Sequence, residues 1–124
     1  MRRPLEHTAD IAYEISGESF LDLLQEVRNI LLEVEGIEVN EEKKEKFYIF
    51  EETEDNFFDI VNDWIAEISK NWAPWRLEIN GNRIKVVFRK IKRREGTEIK
   101  ALTYHLLKFE RGNGTLKTKV VFDI

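Results

Sequence analysis

The stretch Thr115-Leu116-Lys117-Thr118-Lys119-Val120-Val121-Phe122-Asp123-Ile124 decides how this chain is read. Leu116, Thr118, Val120 and Phe122 fall on one face, and Lys117, Lys119, Val121 and Asp123 on the other, the period of a β-strand. An apolar residue follows an acid at the end, where a few loose polar residues are the rule. The pattern predicts that the sheet holds the Ile124 main-chain carboxylate beside the Asp123 side chain. Two like charges about 4 Å apart cost roughly 4 kcal/mol at an effective dielectric near 20. A fixed acidic pair therefore calls for a cation or a basic partner. The competing expectation is a solvated Asp123 and a frayed end.

Working outward, Gly112-Asn113-Gly114 reads as the hairpin turn into this strand. Before it, Ile99, Ala101 and Thr103 alternate with Lys100 and Leu102, so Glu98 to Arg111 holds at least one strand, with Leu106 to Glu110 a continuation or a second one. Arg76 to Asn80 and Arg83 to Lys92 read as strands joined at Asn80-Gly81-Asn82. The basic run Arg89, Lys90, Lys92, Arg93 and Arg94 is placed in a loop. Phe47-Tyr48-Ile49-Phe50, apolar on both faces, reads as an interior strand over Lys46 to Glu52, after a charged loop over Asn40 to Glu45.

Two helices precede and follow that strand. Ser19 with Asp22 three residues on makes a capping box. Phe20, Leu23, Leu24, Val27, Ile30, Leu31 and Val34 form an apolar stripe that stops at Gly36. Thr53 or Asp55 starts the second helix, with the stripe Phe57, Ile60, Val61, Trp64, Ile65 and Ile68, and Trp72, Pro74 and Trp75 mark its exit. At the start of the chain, Leu5 to Ser16 reads as a strand broken at His7-Thr8-Ala9-Asp10 and closed by Gly17. The order predicts an α+β fold: two helices packed on one face of a mostly antiparallel (mixed) β-sheet, in a single domain over residues 1–124.

Composition narrows the function. The 124 residues suffice for one core, and 42% hydrophobic content argues against disorder. With no cysteine, disulfides, thiolate chemistry and Cys-ligated metals are excluded. No apolar run approaches a membrane span, and no leader-like apolar segment opens the chain, so a cytoplasmic protein without membrane contact is expected. A net charge of −4 argues against a broad nucleic-acid footprint. Neither a phosphate-cradling glycine loop nor a serine in an elbow context is present. A zinc site built on His7 and His105 would need the two side by side, which spacing does not show. The remaining chemistry is that of oxygen donors. Asp10, Asp123 and the Ile124 carboxylate suit Ca²⁺ or Mg²⁺, if the first and last strands are neighbours.

Three motifs then carry a resemblance. His7-Thr8-Ala9-Asp10-Ile11, Gly96-Thr97-Glu98-Ile99-Lys100-Ala101-Leu102-Thr103-Tyr104-His105 and Val121-Phe122-Asp123-Ile124 stand in the order of the archease family's signatures. Asp63-Trp64 resembles the family as well. The resemblance implies a helper protein and no self-contained enzyme. Its partner would be the tRNA-splicing RNA ligase that joins a 2′,3′-cyclic phosphate or 3′-phosphate end to a 5′-hydroxyl end with GTP and Mn²⁺. The helper would promote guanylylation of the ligase histidine and multiple turnover, meeting tRNA indirectly through the ligase. It further implies a divalent-metal site at Asp10, Asp123 and Ile124, for Ca²⁺ or Mg²⁺ with Mn²⁺ as an alternative, and functional roles toward the partner for His7, Glu98 and Lys100. The segment holding Trp72 to Trp75 and Lys90 to Glu95 departs from the family pattern. Three alternatives stay open: a chaperone-like modulator of a tRNA methyltransferase, a small metal-dependent phosphohydrolase using His7 and Asp10, and an RNA-binding module using residues 89–94 with Trp72 and Trp75.

Overall fold

Ser19 and Thr53 each accept a hydrogen bond from the backbone N–H three residues on, which fixes where the two helices begin. A computed structural model describes residues 10–124. Helix α1 (Phe20–Val34) runs to Glu35, and Gly36 follows at φ +59°. Helix α2 (Glu54–Ser69) ends at Lys70, and Asn71 turns the chain at φ +74°. Both apolar stripes are buried as the spacing predicts, with Phe20, Leu23, Leu24, Leu31, Phe57, Ile60, Trp64 and Ile68 almost inaccessible.

The strands are β1 (Asp10–Gly17), β2 (Ile37–Ile49), β3 (Trp72–Asn80), β4 (Arg83–Arg94), β5 (Ala101–Leu102), β6 (Glu110–Gly112) and β7 (Thr115–Asp123). They form two sheets, and every described pairing is antiparallel. In the first, β7 is central, with β1 on one side and β5 and β6 on the other. The second has the order β2-β4-β3. One core joins them: Ile15, Leu116, Val120 and Phe122 from the first sheet and Ile84, Val86 and Phe88 from the second meet the stripes of both helices. The α+β class holds, with the strands divided between two sheets where one was expected.

The alternation of β7 holds from Leu116 to Val120, and Val121 on the other face is buried as well. Leu116, Thr118, Val120 and Phe122 are buried, and Lys117 and Lys119 are exposed. Elsewhere the structure corrects the expectations. The charged loop over 40–45 is part of β2, a strand of thirteen residues. Its register shifts between Glu38 and Lys43, and it continues with Lys44, Lys46 and Tyr48 turned toward α2. Because β2 is an edge, Phe47 and Ile49 stand 41% and 63% exposed, and the expected interior strand is β4. The basic run is not a loop either, since Arg89 to Arg94 continue β4. Trp72 to Trp75 open β3 and do not merely mark a helix exit. Between Ile99 and Glu110 only Ala101 and Leu102 pair as strand, because Leu106 turns the chain at φ +63°. Of the opening strand, residues 5–9 lie outside the described residues.

Candidate functional site

At one end of the first sheet the register of β1 against β7 sets Asp10 opposite Asp123, Ile11 opposite Phe122 and Ala12 opposite Val121. On the other side of β7, Ala101 lies opposite Asp123 and Leu102 opposite Phe122. Alternation does the rest. Ile11, Phe122 and Leu102 form the row that faces the core, and Asp10, Asp123 and Ala101 form the row on the other face. Directly opposed residues of an antiparallel pair have Cβ atoms about 4.5–5.5 Å apart. Asp10 and Asp123 are thus within the reach of two carboxylates sharing one ion, and the small Ala101 leaves the far flank of Asp123 open. Asp10 is exposed and Asp123 half-buried.

The strand end is held, not frayed. The Lys100 N–H donates to the Asp123 carbonyl at 2.8 Å, and the Thr103 N–H and hydroxyl both donate to the Val121 carbonyl, at 2.9 and 3.1 Å. Ile124 is half-buried and packs against the core. Among the described residues no Lys or Arg makes an ion pair with Asp10 or Asp123, and no group of three or more His, Asp and Glu side chains could hold a metal. A cation bound between the two aspartates would meet hard oxygen donors, which fits Ca²⁺ or Mg²⁺ and not a soft metal. Solvent at Asp10 screens the repulsion, so the cost expected for a desolvated pair falls to roughly 1 kcal/mol or less.

The segment carrying Glu98 and Lys100 is fastened from both sides. Glu95, Gly96 and Thr97 donate their N–H groups to the carbonyls of Gly36, Glu35 and Val34, at 3.3, 3.0 and 2.9 Å. These bonds satisfy carbonyls left over at the end of α1. A Cβ on Gly96 would stand 2.1 Å from the Val34 carbonyl oxygen, so only glycine permits this approach. On the α2 side, the Asn62 amide donates to the Leu102 carbonyl at 3.1 Å and its oxygen accepts from the Leu102 N–H at 2.8 Å. Asn62 was missed in the sequence, where it stands beside the apolar stripe as one more polar helical residue. Glu98 and Lys100 are exposed and share a cleft of about 390 Å³ with Glu35, Asn62, Ser69 and Arg94. Burial pushes the Glu35 carboxyl up, against the opposing pull of the Arg94 guanidinium 3.5 Å away.

The other singled-out residues divide. His105 is exposed, with its N–H donating to the Thr103 hydroxyl at 3.3 Å. His7 lies outside the described residues, and with it the other half of the proposed zinc pair. Tyr104 stacks on Phe58 with ring centroids 3.8 Å apart and donates to Asp55 at 3.0 Å. In the Asp63-Trp64 pair, Trp64 is core. Asp63 takes hydrogen bonds from Lys46 and from the Tyr48 hydroxyl, both at 2.6 Å. Burial, followed by the Asp63 carboxylate, pushes the Tyr48 hydroxyl well above its ordinary range, so it remains a donor.

Comparison with known proteins shows the family and the fold. No described helix is long and apolar enough to cross a membrane. A protein named archease from Thermotoga maritima is 72% identical over 123 residues, covering 99% of each chain. Another protein of that name, from Methanopyrus kandleri, is 26% identical over 145 residues, covering 97% of this chain and 96% of its own. A crystal structure of an archease from Thermotoga maritima, described as a possible chaperone, superimposes with a TM-score of 0.96 at 71% identity, over 100% of this chain and 98% of that one. The family model for the Archease protein family matches residues 3–124, and the chain belongs to that family.

Proposed function

We propose that this protein is a non-enzymatic activator of the GTP-dependent RNA ligase that joins 3′-phosphate or 2′,3′-cyclic phosphate ends to 5′-hydroxyl ends in tRNA splicing. It works in the cytoplasm, and the ligase brings it to tRNA. The observation that carries the reading is the cross-strand register of Asp10 and Asp123 beside Ile124. These two carboxylates, with the main-chain carboxylate of Ile124, hold a divalent cation, Ca²⁺ or Mg²⁺ and alternatively Mn²⁺. Bound there, the ion supplies a fixed positive charge that attracts phosphate oxygens. The protein's own contribution is position. The row Ile11–Phe122–Leu102 anchors the sheet end in the core, and Lys100 and Glu98, with His7, contact the ligase next to it. Docked at the mouth of the ligase active site, this rigid end favours the arrangement in which the ligase histidine attacks the α-phosphorus of GTP.

The test is ligase turnover with excess RNA ends, with calorimetric Ca²⁺ and Mn²⁺ titrations of the helper alone. Asp10→Ala or Asp123→Ala is expected to lower stimulation at least tenfold and abolish the binding heat. One residue appended after Ile124 should do the same, because it displaces the main-chain carboxylate and leaves every side chain in place. Full stimulation by all three variants would refute the metal site, and a wild type that leaves ligase turnover unchanged would refute the activator reading.

A second reading takes up the description of the Thermotoga structure as a possible chaperone. It is favoured by the exposed apolar side chains Phe47 and Ile49 on the edge strand β2 and Ile79 on β3. A client would be an aggregation-prone enzyme such as a tRNA methyltransferase. Suppression of client aggregation that survives Asp10→Ala and is lost in Phe47→Ser/Ile49→Ser would favour this reading over the first.

A further inference from the structure

We propose that the outer face of the second sheet, around Trp75, contacts the phosphodiester backbone of single-stranded RNA directly. Three observations converge on it. The first is backbone shape: both neighbours of β4 are irregular beside Arg89. In β3 the register passes from Pro74–Phe88 to Arg76–Val87, which makes Trp75 an extra residue. In β2 it passes from Val39–Ile91 to Lys43–Arg89, so Asn40, Glu41 and Glu42 bulge against a single residue of β4. Bulges re-aim side chains and favour functional edges. Here they frame a cavity of about 200 Å³ lined by Lys43, Trp75, Arg76 and Arg89, with Glu41 the single acid of its wall.

The second observation is charge. Lys44, Lys46, Lys85, Lys92, Arg93, Arg94 and Arg111 each have a carboxylate within ion-pair distance. Eleven other Lys and Arg side chains make no ion pair within the described residues, and four of these, Arg28, Lys43, Arg76 and Arg89, gather around Trp75, in a chain whose acids outnumber its bases 24 to 20. The third is how these cations are held. Arg28 and Arg89 lie over the Trp75 ring, 4.6 and 5.3 Å from its centroid. Their Nε atoms donate to the carbonyls of Trp75 and Asn40, at 3.1 and 2.9 Å. An aromatic ring and two carbonyls fix the guanidinium groups without neutralising them. Preset guanidinium forks match phosphate oxygens two at a time, and the half-buried indole offers a sugar or base edge to lean on. The acidic balance of the remaining surface confines the contact to this patch. The choice of RNA among polyanions rests on the ligase reading.

The experiment uses the full chain without ligase, titrated into a labelled unstructured oligouridine between about 50 and 200 mM salt. Three to four phosphate contacts give a log–log salt slope of roughly −2 to −3. Lys43→Gln/Arg76→Gln, which touches neither carbonyl, is expected to weaken binding at least tenfold and to flatten the slope, with the thermal transition unchanged. No binding by the wild type at low salt would overturn the proposal. An unaltered slope in the variant would do so as well, and so would displacement of RNA by oligoglutamate at equal charge, which would assign the patch to an acidic protein segment. Failure of the ligase reading is separable. A wild type that binds RNA and leaves ligase turnover unchanged removes that reading and leaves this contact. A wild type that stimulates the ligase and binds no RNA removes this contact and leaves that reading.

Discussion

Asp63 and Glu67, one turn apart on α2, share two lysines: Lys46 reaches both, at 2.6 and 2.8 Å, and Lys44 reaches Glu67 at 2.7 Å. Asp10 and Asp123, opposed across β1 and β7, are joined by no Lys or Arg among the described residues. Each pair sets like charges side by side, which destabilises a helix face or a sheet row unless something answers it. On α2 the answer comes from within, through the inward side chains of β2. At the sheet end none comes from the described chain. The difference separates a clamp from a site. Carboxylates whose charge is met by the protein's own lysines hold β2 to α2, and carboxylates left with only each other are free to take up something else.

The largest effect should come from breaking the clamp. Glu67 is 4% exposed, and Glu67→Ala would leave Lys44 without its acceptor and Lys46 with Asp63 alone, while opening a small gap. A fully buried pair broken on one side costs about 3–5 kcal/mol. Because the Lys44 and Lys46 side chains remain 35% and 32% exposed, the expected loss is nearer roughly 2–3 kcal/mol. Urea unfolding would measure it. Affinity for divalent ions should be unaltered, since nothing at the sheet end touches α2 through Glu67. A variant as stable as the wild type would mean that the lysines are equally well solvated without it.

Asp10→Asn should act in the opposite direction and by less. Removing one of two opposed charges relieves a repulsion of at most about 1 kcal/mol, so the variant is expected to be as stable as the wild type or slightly more so. Its transition should no longer rise when Ca²⁺ is added, whereas that of the wild type rises with ion concentration by mass action. A destabilised Asp10→Asn would show that the aspartate has a structural partner, and the contrast with Glu67 would collapse.

The same two regions show what could be read before any coordinates. The row at the sheet end was legible because a strand's period is two: Leu116 to Val120 alternate cleanly, and the neighbourhood of first and last strands puts Asp10 near Asp123. The clamp was not legible. Glu41, Glu42, Lys43, Lys44 and Glu45 made residues 40–45 look like a solvated loop, because long charged side chains are read as outward when nothing in the sequence says that Glu67 waits across the interface for Lys44. Phe47 and Ile49 invited the reverse error: apolar on both faces suggested a central strand, and these residues lie on the outer face of an edge. Two sheets in place of one follow from the same gap, since which strands pair is decided by contacts far apart in sequence. Trp75 was noticed as an aromatic but not as a bulge, and a bulge leaves no mark on composition.

The smallest effect is a pH dependence of the clamp. Burial alone would raise the Glu67 carboxyl; the hydrogen bonds from Lys44 and Lys46 outweigh it and hold the carboxyl below its ordinary value of 4.5. A folded carboxyl that titrates lower than the unfolded one binds fewer protons than the unfolded chain does in the window between the two values. Its contribution is therefore fully present above about pH 5 and disappears as pH falls through the lowered value. Glu67→Gln has no such proton to take up. The stability difference between wild type and Glu67→Gln is expected to be constant from pH 8 to about 5 and to shrink below that, followed by thermal unfolding at constant ionic strength. A difference that stayed constant through the acid range would mean that Lys44 and Lys46 do not hold the Glu67 charge in place, and the helix pair would be as open as the pair on the sheet.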